Sequence, residues 1–368
     1  MKLPYAEDLN TGYLARLFDN TSECYKLFWF KAIVNAVCDG KQVLTYEELI
    51  DKMIADAWYM VTEYHLNLGP RDTLEKAVHY IASDTGMQPT VKKQQILDWL
   101  KECKDPAVIR FKRDLTLNVP FRLQAPFLPG FRTETWNCGS KELIQRINQQ
   151  ERLIYYFDVF AGMNTRIRIV PEWMDYLKAN QEILRGWVQY NMILYLQRRN
   201  PSVPGISDKL YPPQERKLEK VKKYWKLIAK LSPIHEIYGD TLLTPQMISI
   251  DHFVPWSYVA HDEFWNLHPT TRSINSSKSN HLPDWEIYFP RFAEVEYQSY
   301  QMIWQNKQIQ SEFKKCAKEH LNNPEIEHRL YRQGLDEALF TRQLEEVIRP
   351  VYLSAQTCGF SSWEYAHE

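Results

Sequence analysis

Three polar residues between positions 250 and 283 combine a candidate base with two hard oxygen ligands. Asp251 and Asn275 each offer an oxygen atom, and so sparse a ligand set suits Mg²⁺, which keeps several of its own waters. Mn²⁺ is expected to substitute, whereas Asn in the last position disfavours zinc and nickel. His252 follows Asp251 directly, and an imidazole, with an ordinary pKa of about 6.5, can accept a proton at neutral pH. These residues predict metal-assisted hydrolysis of a phosphodiester.

The residues around these three form an ordered motif. It reads Asp-His-x-x-Pro at 251–255, Asn-Leu at 266–267, Asn-x-x-Lys at 275–278 and Leu-Pro at 282–283. In order and spacing the motif resembles the HNH, or ββα-metal, endonucleases, and most of all the HNH domain of RNA-guided CRISPR nucleases, which also end in Asn. Taken alone, Asp251, Asn266 and Asn275 would each be interpreted as turn or cap residues. The joint pattern is what favours a nuclease.

The resemblance implies a role for each residue of the motif. Asp251 and Asn275 would bind the metal ion, His252 would be the general base, and Asn266 would hold the loop and orient the imidazole. Lys278 lies three residues after Asn275, on the same face of a helix, and its charge would steady a phosphate. The implied substrate is DNA, cleaved to 5′-phosphate and 3′-hydroxyl ends. Because the base must reach water at a phosphate, we expect His252 not to be deeply buried.

Other residues near the motif are ambiguous. Surface or packing roles are favoured for the remaining histidines of this region, His261, His268 and His281. Packing of the loop is favoured over base stacking for its large aromatic residues, Trp256, Tyr258 and Trp265. Arg272 fits a phosphate contact and a solvated charge equally well, and we include it among the predicted nucleic-acid contacts.

A basic helix is predicted at Gln214–Leu231, just before the motif. Its apolar residues recur at helical spacing and should face the core; they are Leu218, Val221, Trp225 and Ile228. Its positive residues are Arg216, Lys217, Lys220, Lys222, Lys223, Lys226 and Lys230. Such a face is usually only solvated, but its place just before the motif also favours a contact with phosphate. We select Lys220, Lys223 and Lys226 as predicted DNA contacts.

The elements that must position the site are two strands and a helix. The predicted order is a strand at Met247–Asp251, a loop at Trp256–Glu263 and a second strand at Asn266–Thr270. A helix is then predicted to begin near Ser273. Neighbouring side chains on a regular strand point to opposite faces. Asp251 and His252 therefore share one site only if the strand ends or distorts there, which Pro255 favours because proline cannot continue a central strand.

The rest of the chain is predicted to be mostly helical. A capping box at Thr45 and Glu48 opens a helix over Tyr46–Glu63. Further helices are predicted at Ser22–Val37, Thr73–Ala82, Val91–Cys103, Lys141–Tyr156, Pro171–Arg199, Val295–Cys316 and Glu325–Ile348. Prolines mark loops or short strands within Pro106–Pro129, and Ile237–Leu243 resembles a short hairpin.

These elements predict a mainly α fold with a small α+β insert. The expected domains are a large helical domain at 1–205, a connector and basic helix at 206–235, a ββα-metal unit at 236–285 and a helical C-terminal segment at 286–368. The large helical domain would sense a trigger, bind a protein partner, associate with a second copy or position the target.

The composition excludes several classes of protein. With 44% hydrophobic and 25% charged residues, the chain is globular rather than disordered. A net charge of −1 gives no global basic field, so nucleic-acid contacts must be local. The six cysteines form no C-x-x-C pair, which argues against a zinc ribbon or a disulfide framework and fits a reducing cytoplasm. Neither a signal peptide nor a membrane span is predicted.

The leading hypothesis is therefore a cytoplasmic endonuclease that hydrolyses DNA with Mg²⁺, linked by family association to restriction or antiviral defence. Two alternatives remain open. The first is a non-catalytic nucleic-acid-binding or assembly protein with an HNH fold. The second is an RNA-directed nuclease, because nothing in the motif distinguishes the sugar.

Overall fold

The structure, a computed structural model, describes residues 2–212 and 217–366. The chain divides into two compact units, Met1–Asn200 and Pro201–Glu368. Both units are built mainly from helices, which confirms the predicted mainly α class. The finer boundaries at 205, 235 and 285 remain predictions. Within the described residues, no helix is both long and apolar enough to cross a bilayer.

The first unit packs around helix α2. Its helices are α1 (Thr11–Leu14), α2 (Tyr25–Cys38), α3 (Tyr46–Thr62), α4 (Thr73–Thr85), α5 (Lys93–Glu102), α6 (Pro106–Leu115), α7 (Val119–Arg122), α8 (Thr133–Trp136), α9 (Ser140–Asn148), α10 (Pro171–Ala179) and α11 (Gln181–Arg199), with 3₁₀ turns at Ala125–Phe127 and Gly162–Asn164. Helix α2 is apolar on most sides and largely buried, as expected for a helix at the centre of a bundle. The predicted capping box is confirmed, because Thr45 and Glu48 each bind the other's backbone N–H at the start of α3.

The first unit also contains a small antiparallel sheet that the helical pattern of the sequence does not predict. Its strands are β1 (Val43–Thr45), β2 (Tyr155–Val159) and β3 (Arg166–Ile169), in the order β1-β3-β2. The predicted helix Lys141–Tyr156 is therefore wrong in its second half. The amide of Gln124 binds the backbone N–H and carbonyl of Tyr155, and the amide of Asn148 binds those of Phe157. These backbone groups are thereby withdrawn from a helix.

Four further helical predictions need correction. The predicted helix Val295–Cys316 is divided between helices Trp285–Gln305 and Lys307–His320, and the predicted helix Glu325–Ile348 between helices Pro324–Tyr331 and Glu337–Thr357. Within Pro106–Pro129 the expected loops occur at 116–118 and 128–129, but most of this stretch forms α6 and α7, which the sequence analysis did not predict. The side chain of Asp105 caps α6, and a proline fits the first turn of that helix without losing a hydrogen bond. The single long helix expected from Pro171 is two helices, α10 and α11. They separate at Asn180, whose side-chain amide donates back to a carbonyl of α10.

The second unit surrounds two short strand pairs with helices. The helices are α12 (Glu219–Leu231), α13 (Arg272–Lys278), α14 (Trp285–Gln305), α15 (Lys307–His320), α16 (Pro324–Tyr331) and α17 (Glu337–Thr357), with 3₁₀ turns at Ile206–Leu210 and Phe264–Asn266. The strands are β4 (Ile248–His252), β5 (Leu267–Thr271), β6 (Leu282–Pro283) and β7 (Ser362–Trp363). Strands β4 and β5 are antiparallel, whereas β6 and β7 are parallel.

One hydrophobic core joins the elements of the second unit. The predicted inward face of α12 is confirmed, because Val221, Trp225 and Ile228 are buried in this core. The first residues of the predicted basic helix, Gln214–Arg216, lie outside the described residues. Helices α12 and α14 pack against the β4–β5 pair. Because α12 precedes the motif in the sequence and α14 follows it, residues on both sides of the motif support its strands.

Candidate active site

The motif forms a strand–strand–helix unit. In the β4–β5 pair, Asp251 faces His268 and His252 faces Leu267. Helix α13 follows directly, and the hydroxyl of Thr271 caps it by accepting the N–H of Ile274. The predicted order of strand, strand and helix is confirmed, with each boundary within about two residues of its expected place.

The carboxylate of Asp251 is held from one side by a buried cluster. Its Oδ2 accepts a hydrogen bond from the Tyr238 hydroxyl at 3.1 Å and lies 3.2 Å from Lys278 Nζ and 3.6 Å from His268 Nε2. The side chains of Lys278 and His268 are fully buried. Burial favours a raised pKa for Asp251, but the positive groups around it outweigh burial and lower this pKa below its ordinary value. Asp251 is therefore ionised at neutral pH.

Asn275 is held by its amide nitrogen. Its Nδ2 donates to Ile250 O at 2.9 Å and to Ser249 Oγ at 3.2 Å. This anchors the amide beside the peptide bond that joins Ile250 to Asp251. The α13 helix and the β4 strand thus bring together the two predicted metal ligands.

The oxygens left over fit a hard divalent cation. Within residues 2–212 and 217–366, no hydrogen bond or ion pair engages Asp251 Oδ1 or Asn275 Oδ1. Each ligand is therefore locked through one atom and presents its second, an oxygen of the type that Mg²⁺ and Mn²⁺ prefer. The described residues hold no group of three or more His, Cys, Asp or Glu side chains that could bind a metal.

The imidazole of His252 pairs with a carboxylate that the motif does not include. Its Nε2 lies 2.8 Å from Asp262 Oδ1. The expected orienting contact from Asn266 is not what the structure shows, since the amide of Asn266 binds both backbone polar groups of Val254. Asn266 thus holds the loop, as predicted, while Asp262 contacts the ring.

The expectation of an accessible base is wrong for this conformation. His252 is 3% exposed and Asp251 is 5% exposed. The burial follows from the position of these residues at the end of β4, where the loop from Phe253 to Glu263 folds back over the strand. Of the two, His252 is the one that contacts this loop, through Asp262.

The C-terminal helices hold the loop in place. His320, at the end of α15, donates from Nδ1 to the carbonyl of Asp262 at 2.8 Å. Asn322 donates to the carboxylate of Glu263 at 2.9 Å. The loop that contacts the candidate base is therefore positioned by residues well outside the sequence motif.

Lys278 faces inward rather than toward solvent. Its ammonium donates to the carbonyl of His252 at 2.8 Å and pairs with Asp251. Burial lowers the pKa of Lys278, against the opposing effect of Asp251. The predicted phosphate contact of Lys278 stays a prediction, because in this conformation its charge is directed to Asp251.

The other residues near the motif fall into two groups. Tyr258 and Trp265 are buried in the core, which confirms their predicted packing role, and Trp256 is half-buried. Exposed side chains include His261, His281 and Arg272, the last being the first residue of α13. His268 is buried, as a packing residue would be, but its contact with the Asp251 cluster is not visible in the spacing of the motif.

The basic face of α12 is partly neutralised. Lys220 pairs with Glu319 and Lys223 with Glu312, both on α15. Within the described part of the chain, Lys226 makes no ion pair. The three predicted DNA contacts on α12 therefore differ in how readily they can meet a phosphate.

Comparison with known families bears directly on this unit. Residues 235–284 match the family model of the HNH endonucleases. The chain carries an HNH endonuclease domain. The match spans 50 of the 368 residues and includes Tyr238, the Asp251 cluster and all of α13. The closer likeness to CRISPR nucleases stays an expectation. No curated protein and no solved structure was found to match the chain.

Proposed function

We propose that this protein is a metal-dependent endonuclease that hydrolyses DNA, in a setting of restriction or antiviral defence. The observation that carries the proposal is the arrangement at the end of β4. Two hard oxygens, Asp251 Oδ1 and Asn275 Oδ1, face no described partner, beside an imidazole that a carboxylate holds.

The side chains of the HNH domain would divide the chemistry among them. Asp251 and Asn275 would hold a divalent metal ion, which would act as Lewis acid and template for the phosphate. His252 would take the proton from the attacking water. Asp262 would orient the ring and stabilise the imidazolium that results, as a carboxylate does for histidine in other hydrolases. Lys278 would keep Asp251 ionised and fixed.

The closed geometry adds a requirement to this proposal. Because Asp251 and His252 are almost fully covered, substrate entry needs the loop around Asp262 to yield. His320 and Asn322 tie that loop to the end of α15. Opening would therefore break these two contacts and the His252–Asp262 hydrogen bond, at a cost of about 1 kcal/mol each, which binding of the DNA backbone is large enough to offset.

The direct test is cleavage of supercoiled plasmid with Mg²⁺, with Mn²⁺ and with a chelator, beside a matched RNA of the same sequence. We expect nicked DNA with either metal ion and intact DNA in chelator. Full activity in chelator would contradict the metal requirement, and strict dependence on zinc would show that the ligand set is wrong. Cleavage of the RNA alone would favour the RNA-directed alternative, and binding of DNA without cleavage would favour the non-catalytic one.

The basic helix offers a second prediction, on affinity rather than rate. Replacing Lys220, Lys223 and Lys226 with Ala should weaken DNA binding and make it less dependent on salt. The slope of the logarithm of the binding constant against the logarithm of the salt concentration should fall in magnitude by about 0.9 for each phosphate that is no longer neutralised. Lys226→Ala should account for most of this, because Lys220 and Lys223 are already paired with carboxylates. Lys307→Ala, an exposed change on α15, is the matched control. A triple variant with the slope of the parent would show that the α12 lysines are merely solvated.

A further inference from the structure

A polar cavity in the first unit is lined by three cations and two carboxylates, and two of the cations, Lys26 and Arg122, form no ion pair among the described residues. It has a volume of about 580 Å³ and opens beside the start of α2 and the α7 turn. Lys26 and Arg122 both line it, and both are half-buried. Among the described residues, neither makes an ion pair with a carboxylate. The charges of Lys26 and Arg122 repel each other, and an anionic ligand between them would relieve that repulsion.

Both cations are held in place before any ligand arrives. Lys26 Nζ donates to the carbonyl of Asn20 at 2.9 Å. The guanidinium of Arg122 lies over the ring of Trp136, 4.4 Å from its centroid. A guanidinium fixed by stacking keeps its fork of N–H donors for a planar or tetrahedral oxyanion.

The electrostatics of the cavity favour an anion further. Burial lowers the pKa of Lys26, and the nearby charge of Arg122 lowers it more, with Asp19 opposing both. Helix α2 begins beside Lys26 with no side-chain cap and no acidic residue in its first turn. The partial positive charge of that helix end adds to the two cations, although the carboxylates of Glu23 and Asp72 lie beside its N-cap, Cys24, and offset part of it.

The two acidic residues at the cavity do not cancel this charge. Asp19 pairs with Arg16, 3.4 Å away, at the exposed rim. The carboxylate of Glu23 lies against Gly69 and acts on the buried Cys24 and Asp72, whose pKa values it helps to raise. Lys26 and Arg122 therefore leave the cavity with a net positive lining.

We propose that this cavity binds a small phosphate-bearing ligand through Lys26 and Arg122. The cavity volume lies within the range of about 300–1,000 Å³ of small-molecule sites, and its polar, basic lining suits a phosphate group rather than an apolar ligand. A compact cavity, rather than an extended groove, favours a small molecule over a nucleic-acid strand. This inference is independent of the nuclease proposal, because it concerns the first unit alone.

The test is equilibrium binding of pyrophosphate, ATP and adenosine to the full-length protein, by calorimetry and by thermal shift at constant ionic strength. We expect pyrophosphate or ATP to bind at millimolar concentration or below, and adenosine not to bind. Lys26→Gln and Arg122→Gln should each weaken binding about tenfold. Lys101→Gln, an exposed change on α5 away from the cavity, should leave it unchanged.

Several results would overturn the proposal. They are an absence of binding by both phosphate compounds, equal binding by the Gln variants, or a loss in Lys101→Gln as large as theirs. A thermal shift with DNA but with neither pyrophosphate nor ATP would indicate instead that Lys26 and Arg122 bind nucleic acid. Circular dichroism of each variant separates lost binding from lost folding, and Arg122→Lys, which keeps the charge but not the fork, should retain part of the affinity. Because plasmid cleavage is assayed separately, failure here would leave the nuclease proposal standing.

Discussion

Replacing His252 with Ala is expected to lower the rate of DNA cleavage by about 10²–10⁴, or about 3–5 kcal/mol of barrier. The loss would come from the missing proton acceptor, so added Mn²⁺ should not restore it, whereas added imidazole should restore it slightly. Some stability should be lost as well, because His252 is buried and bonded to Asp262. The measurement is single-turnover plasmid nicking, with circular dichroism and DNA binding as checks on folding.

Asn275→Ala provides the matched comparison. It should also inactivate the enzyme, but by removing an oxygen ligand, so excess Mn²⁺ should recover part of the activity. The cleavage rate of Asp262→Asn should lie between those of the parent and His252→Ala. The His252 ring keeps a hydrogen-bond partner in this variant and loses only the charge that stabilises its protonated form. A His252→Ala variant that cuts at the parent rate would refute the assignment of the base and most of the proposed mechanism with it.

The local geometry of the motif could be predicted from its spacing. Asp251 and His252 end one strand, and Asn275 and Lys278 share a helix, as the residue types and their separations indicate. Strand and helix periodicity depend on neighbours in the sequence, so the spacing within residues 250–283 is enough to predict the order of strand, strand and helix. The same holds for the capping box at Thr45, which needs only residues three apart.

Contacts across long separations could not be predicted. Asp262 lies ten residues after His252 in a loop without periodicity, and its support comes from His320, 58 residues further on. The inward orientation of the Lys278 side chain could not be predicted from the motif either. A lysine on a short helix usually faces water, and the residues that bind its ammonium lie on β4. In the first unit, β2 forms because Gln124 and Asn148 bind its backbone, and neither side chain is part of a strand pattern.

Replacing Lys278 with Met is expected to cause a large loss of stability in the second unit. The parent ammonium is fully buried and pairs with Asp251 while it satisfies the carbonyl of His252. Removing one partner of a buried ion pair leaves an uncompensated charge and costs roughly 3–5 kcal/mol. The measurement is denaturant unfolding in chelator, with hydrogen exchange of peptides covering β4 and α13 as the local readout. Lys230→Met, an exposed change on α12, is the control.

The pH dependence of that loss distinguishes an ion pair from simple packing. In the parent, the pKa of Asp251 is lower in the folded protein than in the unfolded chain, where it is about 3.9. The ionised carboxylate therefore stabilises the fold above about pH 3.9, and this stabilisation is lost as the pH falls through the pKa of the folded state. Without Lys278, burial should dominate and raise the folded pKa, so the sign reverses and the variant should gain stability as the pH falls below neutral. Adding Asp251→Asn should remove this dependence and recover part of the free energy of unfolding, because the buried charge is gone. A Lys278→Met variant with parental stability, or one whose loss is the same at pH 5 and pH 7, would show that the buried pair does not support the metal ligand.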